Sequence, residues 1–164
     1  MRDIWLYRFA GAAAMFGGGL RIVTAFVPWD SNSALLELLA LKIDLLCLFG
    51  LMGIYLANRA QVGVVGLLAF IVAASGIASI VGPDTKAFDI DTYQAGVAVI
   101  AIGLAVLGIT LLRAGLLPRI AGVCWILSLA VGHAGALAGY GSEGFLIGGV
   151  LFGAGFVAGG LSLV

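Results

Sequence analysis

The sequence predicts an all-α integral membrane protein, a single domain over residues 1–164 built as a compact bundle of six transmembrane helices. Three observations predict it. Hydrophobic residues make up 63% of the chain and charged ones only 10%, against about 25% charged in an ordinary soluble domain, and mean hydropathy is +1.22. The apolar runs are each about 20 residues long, the length that crosses a hydrocarbon core of about 30 Å. Four of the six runs contain no Asp, Glu, Lys or Arg at all. A transmembrane β-barrel is excluded, because its strands alternate in polarity over segments of about 10 residues and these runs are evenly apolar.

The first span is expected from Ile4 to Val27. Its opening, MRDIWLYRFAGAAAMFGGGL, places basic residues before an apolar, Ala-rich run, which is also how a secretory signal peptide begins; it is read as a retained span. Gly17, Gly18 and Gly19 lie inside it and form no phosphate loop, having no preceding strand and no following Lys. The second span, Ser33 to Asn58, carries Glu37, Lys42 and Asp44, and the third runs from Val62 to Gly82. The connection GPDTKAFDID holds Asp84, Asp89 and Asp91 without the spacing of an EF-hand, so it reads as a solvated turn and no metal site is expected. The fourth span, Thr92 to Leu112, is followed by a fifth, Ile120 to Tyr140, which contains the only histidine, His133. In the sixth, Gly144 to Leu163, Gly149 with Gly153 and Gly155 with Gly159 have G-x-x-x-G spacing, which brings helix backbones close. That approach serves packing inside the chain, or a homo-oligomer or larger membrane complex through the same helix.

Charge placement orients the bundle. Arg2, Arg8, Arg59, Arg113 and Arg119 fall on one side, and Asp30, Asp84, Lys86, Asp89, Asp91 and Glu143 on the other. The positive-inside rule makes both termini cytoplasmic, in a plasma membrane of the bacterial inner-membrane kind. Trp5, Tyr7 and Tyr55 then sit at the inner boundary and Trp29, Tyr93 and Tyr140 at the outer one, as an aromatic belt requires. The formal net charge of +0 gives no reason to expect nucleic acid as a partner. Cys47 and Cys124 lie on different spans without metal-ligand or redox spacing, and no nucleotide-binding or nucleophile motif occurs, so no cofactor is expected.

A weak period divides the chain into three tandem hairpins. Gly11, Gly66 and Gly122 stand 55 and 56 residues apart, and Pro28 and Pro83 stand 55 apart. Regular spans with basic inner loops produce the same period without any internal repeat.

The charges inside the spans are the candidate site. A charged residue at a helix centre costs about 2.5–3.5 kcal/mol to insert, so Arg21, Glu37, Lys42 and Asp44 have to be paired, protonated or hydrated. At about 100° per residue, Glu37 and Asp44 share a face while Lys42 points away from both. A hairpin folded about Asp30 brings Arg21 level with Leu38 and Leu39, and so pairs it with Glu37. His133 falls at a similar depth, and Ser75 and Gln94 add hydrogen-bonding groups. The expectation is a polar pocket in the outer half of the bilayer that takes an apolar or amphipathic small molecule from membrane lipid. Asp44, Glu37 and His133 are the candidate acid–base groups, and Arg21, Lys42, Gln94 and Ser75 the candidate substrate-binding groups. Isomerase, cyclase or hydrolase chemistry on a lipid-like substrate suits such a pocket. Two other readings use the same residues. Arg21 and Glu37 pin two helices together in an accessory or assembly subunit, or Asp44 near the midplane belongs to a proton- or ion-coupled transporter.

Overall fold

The computed structural model describes residues 4–28, 30, 33–81, 86–87, 90–116 and 118–164, with 86–87 and 90–91 described by their backbone. Arg2, Trp29, Pro83, Asp84 and Asp89, and the side chains of Lys86 and Asp91, on which parts of the orientation and loop readings rest, lie outside the described residues. Among the described residues five α-helices form: α1 (Ile4–Thr24), α2 (Ala34–Ile80), α3 (Thr92–Arg113), α4 (Arg119–Leu137) and α5 (Gly141–Leu161). A two-residue strand β1 (Lys86–Ala87) pairs antiparallel with β2 (Ile90–Asp91), where a simple turn was expected. The helices α2 to α5 are long and apolar enough to cross a membrane; α1, interrupted by Arg8 and Arg21, is not among them.

The helix count is five rather than six because the expected second and third helices form one element of 47 residues. Gly63 alone leaves helical geometry inside it, at φ 63° and ψ −160°. That region of backbone space is open essentially to glycine only. Tyr55 and Phe70 stack with ring centroids 4.4 Å apart and planes 10° from parallel. On a straight helix residues so separated in sequence stand about 22 Å apart, so the chain doubles back at Gly63. α2 therefore has two antiparallel arms, residues 34–62 and 64–80. The sequence reading placed a connection after Asn58; instead, helix continues through Arg59 and Gln61 and one glycine makes the reversal.

Small residues bring the helices together. Ala14 lies against Gly50 and Ala10 against Gly53, joining α1 to the first arm of α2. Gly103 lies against Ala73 and Gly76 against Ile100, joining the second arm to α3. Gly108 meets Gly122 between α3 and α4, Gly135 meets Gly144 between α4 and α5, and Gly11 and Gly18 meet Gly160 and Gly153 between α1 and α5. Each helix thus packs on its sequence neighbours, and α5 on α1 closes the ring. The three periodic glycines, Gly11, Gly66 and Gly122, are all buried.

This up-and-down course gathers Arg8, Arg59, Arg113 and Arg119 at one end, called here the arginine end; the end of α1, the start of α2 and the strands β1 and β2 lie at the other. Leu51, Ile54, Leu104, Leu107, Trp125 and Phe156 are fully buried and fill the interior. Trp125 meets Phe156 edge-on at 5.3 Å, and Gly155 is the residue that lets the indole lie against α5. The Trp125 indole N–H is a buried donor without an acceptor among the described residues.

Candidate functional site

The register of α1 on α2 decides which charges meet. Gly17 sits against Leu46 and Cys47, Ala14 against Gly50 and Ala10 against Gly53. Extended by one helical turn, this antiparallel register sets Arg21 opposite Ile43, one residue from Asp44. The sequence reading, folding the hairpin symmetrically about Asp30, set Arg21 opposite Leu38 and paired it with Glu37. The difference has a simple cause: α1 ends at Thr24, whereas α2 begins at Ala34 and its first turn and a half, residues 34–39, projects past the end of α1. Glu37 rides on that projection and its side chain is exposed. Its backbone N–H is bonded to the Ser33 carbonyl oxygen at 3.1 Å, and Ser33 caps the helix through its hydroxyl, which accepts from the Leu36 N–H at 3.4 Å.

Arg21 is half-buried, and Tyr93, Asp44 and Cys47 lie within electrostatic reach of its guanidinium. Three elements contribute. Arg21 comes from the last turn of α1, Asp44 and Cys47 from the first arm of α2, and Tyr93 from the first turn of α3. α1 and α3 do not pack extensively on one another, so the approach of Arg21 to Tyr93 links the terminal turns of two helices that are not ring neighbours. Asp44 is half-buried and faces Arg21, and Cys47 is fully buried beneath it, packed against Gly17. Burial of charge in an apolar bundle is tolerable only with such compensation, since the desolvation cost of each ion amounts to several kcal/mol, about as much as a typical domain's net stability.

Lys42, Ser75 and His133 are not among the groups that lie beside Arg21. Lys42, Ser75, Gln94 and His133 all have exposed side chains. The His133 Nδ1 stands 3.1 Å from the Leu129 carbonyl oxygen of its own helix. Carrying the helix registers through α5 and α4 puts His133 within about a turn of the level of Arg21, so its depth agrees with the sequence reading and its direction does not. Lys42 points away from Asp44, as the helical angle predicted, while Glu37, on the Asp44 face, is carried beyond the end of α1.

Tyr93 and Cys47 are the members of the cluster that sequence reasoning did not select. Tyr93 carried a signal: it opens α3 directly after the acidic connection, at the same end of the bundle as Arg21. It was read as a belt residue because sequence alone does not say whether such a ring faces lipid or the interior. Cys47, three residues after Asp44 and so on the same helical face, was read as small and buried, and it is.

Two concavities among the described residues lie elsewhere. One of about 310 Å3 opens at the arginine end between Gln61, Thr110 and Arg113. The other, of about 460 Å3, runs along the outside of the seam between α1 and the first arm of α2.

The chain was compared with protein-family models, with curated proteins and with solved structures, and it matches none of them.

Proposed function

We propose that this protein crosses the membrane six times, α2 crossing twice by reversing at Gly63, with the arginine end and both termini in the cytoplasm. In this reading it binds an amphipathic small molecule at the opposite end, the molecule's polar head meeting Arg21, Tyr93 and Asp44 while its apolar part remains among the helices or in lipid. The observation that carries the reading is the approach of groups from two further elements, α2 and α3, to one half-buried guanidinium on α1, with α1 and α3 not adjacent in the ring. A structural pin between α1 and α2 needs only Arg21 and Asp44; the proximity of Tyr93 adds a phenol beside the guanidinium, a second kind of donor. Such a point suits an anionic or carbonyl head group.

Where turnover follows binding, Asp44 is the group to donate or accept a proton, with Arg21 and Tyr93 holding the polar head, which corresponds to isomerase, cyclase or hydrolase chemistry on a lipid-like substrate. The apolar packing of Leu51, Leu104, Leu107 and Phe156 argues against a continuous polar route through the bundle, and so against transport. Of the α5 glycines, Gly153 is engaged with α1, Gly155 with Trp125 and Gly160 with Gly11.

Oleate, with one carboxylate and one apolar tail, is a direct probe. Titrated into the protein in dodecyl maltoside micelles and followed by calorimetry, it should bind wild type at least about tenfold more tightly than the Arg21→Met/Asp44→Leu double variant, a difference of about 1.4 kcal/mol. Replacing both partners together avoids leaving one charge alone, so that variant keeps its fold. Equal binding by the two proteins overturns the reading.

A further inference from the structure

The seam between α1 and the first arm of α2 has a second feature on its outer surface. Ala10 and Gly53 approach so closely there that, with Ala13, they make a floor of small residues. Large apolar side chains stand on either side of it: Leu6 and Phe9 from α1, Phe49 and Met52 from α2, respectively 57%, 72%, 60% and 41% exposed. The result is a groove of about 460 Å3, about 10 Å long from the helical rise. Its lining is apolar apart from Tyr7.

The groove has a charged end. Phe49, Met52, Leu56 and Arg59 recur at the spacing of one helical face, so the row of residues that forms the α2 wall ends in an exposed guanidinium one turn beyond the last apolar residue. On the α1–α2 register Arg8 stands level with Leu56, about a turn short of Arg59, and on the opposite face of α1, over the Trp5 ring at 5.9 Å. Among the described residues the arginine end carries Arg8, Arg59, Arg113 and Arg119 and no Asp or Glu side chain.

We infer that this groove is a binding site for one anionic phospholipid of the leaflet at the arginine end, an acyl chain lying on the Ala10–Ala13–Gly53 floor and the phosphate meeting Arg59. An acyl chain fits a lining of this chemistry, and the apolar helices put the groove in contact with such chains. The selection for an anionic head comes from Arg59: an arginine near an anionic membrane surface contributes about 1 kcal/mol. A zwitterionic lipid of the same chains fills the groove without that contribution. The site is separate from the Arg21 cluster, which lies toward the other end of the bundle, so failure of either proposal leaves the other standing.

The test is native mass spectrometry of the protein released from nanodiscs that hold phosphatidylglycerol and phosphatidylcholine of identical acyl chains in equal amount. Wild type is expected to retain phosphatidylglycerol preferentially. Arg59→Gln, an exposed change that leaves packing alone, reduces that preference about fivefold. Ala13→Phe, which raises the floor, reduces retention of both lipids, and Arg8→Gln leaves the preference as it is. The inference is overturned if wild type shows no preference, if Arg59→Gln retains it in full, or if Arg8→Gln lowers it as much as Arg59→Gln does.

Discussion

Two helix seams in this bundle are built from opposite materials. Between α1 and the first arm of α2, Ala10 and Ala14 pack on Gly53 and Gly50, and Arg21 then faces Asp44 one turn further along. Between α4 and α5 no charge takes part: Gly135 meets Gly144 backbone to backbone, Gly148 lies close to the Ser128 carbonyl, and the Ser128 hydroxyl donates to the Gly148 carbonyl oxygen at 2.7 Å. Inside an apolar medium the hydrophobic effect gives no preference for helix against lipid, so close packing and a few hydrogen bonds hold helices together. The α4–α5 seam shows that these suffice in this chain. The α1–α2 seam therefore differs from α4–α5 in carrying a charge pair in addition to its small-residue packing.

The comparison can be broken first at Arg21. Arg21→Met leaves Asp44 facing apolar neighbours without its cation, and is expected to cost about 3–5 kcal/mol in unfolding measured by titration with a denaturing detergent. Adding Asp44→Leu should restore most of that stability. If the double variant remains as unstable as the single one, the two side chains are not coupled and the seam is not held by their pairing.

A smaller loss is expected on the uncharged side. A Cβ added at Gly144 comes within 2.8 Å of the Gly135 Cα and 3.2 Å of the Val131 carbonyl oxygen, both backbone atoms that cannot swing aside. Gly144→Ala should therefore destabilise by about 1–3 kcal/mol, visible as a lowered Tm of the purified protein. An unchanged Tm means that the α4–α5 approach is looser than described. Ser128→Ala removes one interhelical hydrogen bond and should cost only about 0.6 kcal/mol, the mean for such bonds inside membranes. Smallest of all is Gly149→Ala. Its new methyl meets only the Ala25 Cβ at 3.8 Å, an ordinary contact, so the gain in helix propensity should leave stability equal or raised by up to about 1 kcal/mol. A clear loss at Gly149 assigns it a packing role that its surroundings do not show.

Much of this protein was legible before any coordinates. Hydropathy and run length locate the apolar helices, because the hydrocarbon thickness sets the length of every span. Ile4, Thr92 and Leu161 fall at or within two residues of the expected limits. The alternation of arginines between successive spans also identifies their common end. The angular relation of Lys42, Asp44 and Glu37 follows from helical geometry alone.

What only the tertiary structure decided is which neighbours those residues have. The partner of Arg21 depends on the register between two helices, and register depends on how far each helix runs into its connection. α2 begins early relative to the end of α1, so Asp44 rather than Glu37 comes level with the guanidinium. Tyr93 joins them because α3 enters the ring two places away with its first turn at that level, a matter of ring closure that no local pattern records. The reversal at Gly63 is of the same kind: many glycines in this chain sit in helices, and only the packing of Tyr55 on Phe70 and of the two α2 arms on α1 and α3 selects that one to turn the chain back. Sequence periodicity specifies local conformation and polarity because these depend on a residue and its near neighbours; contacts across the ring depend on the summed lengths and offsets of every element between them.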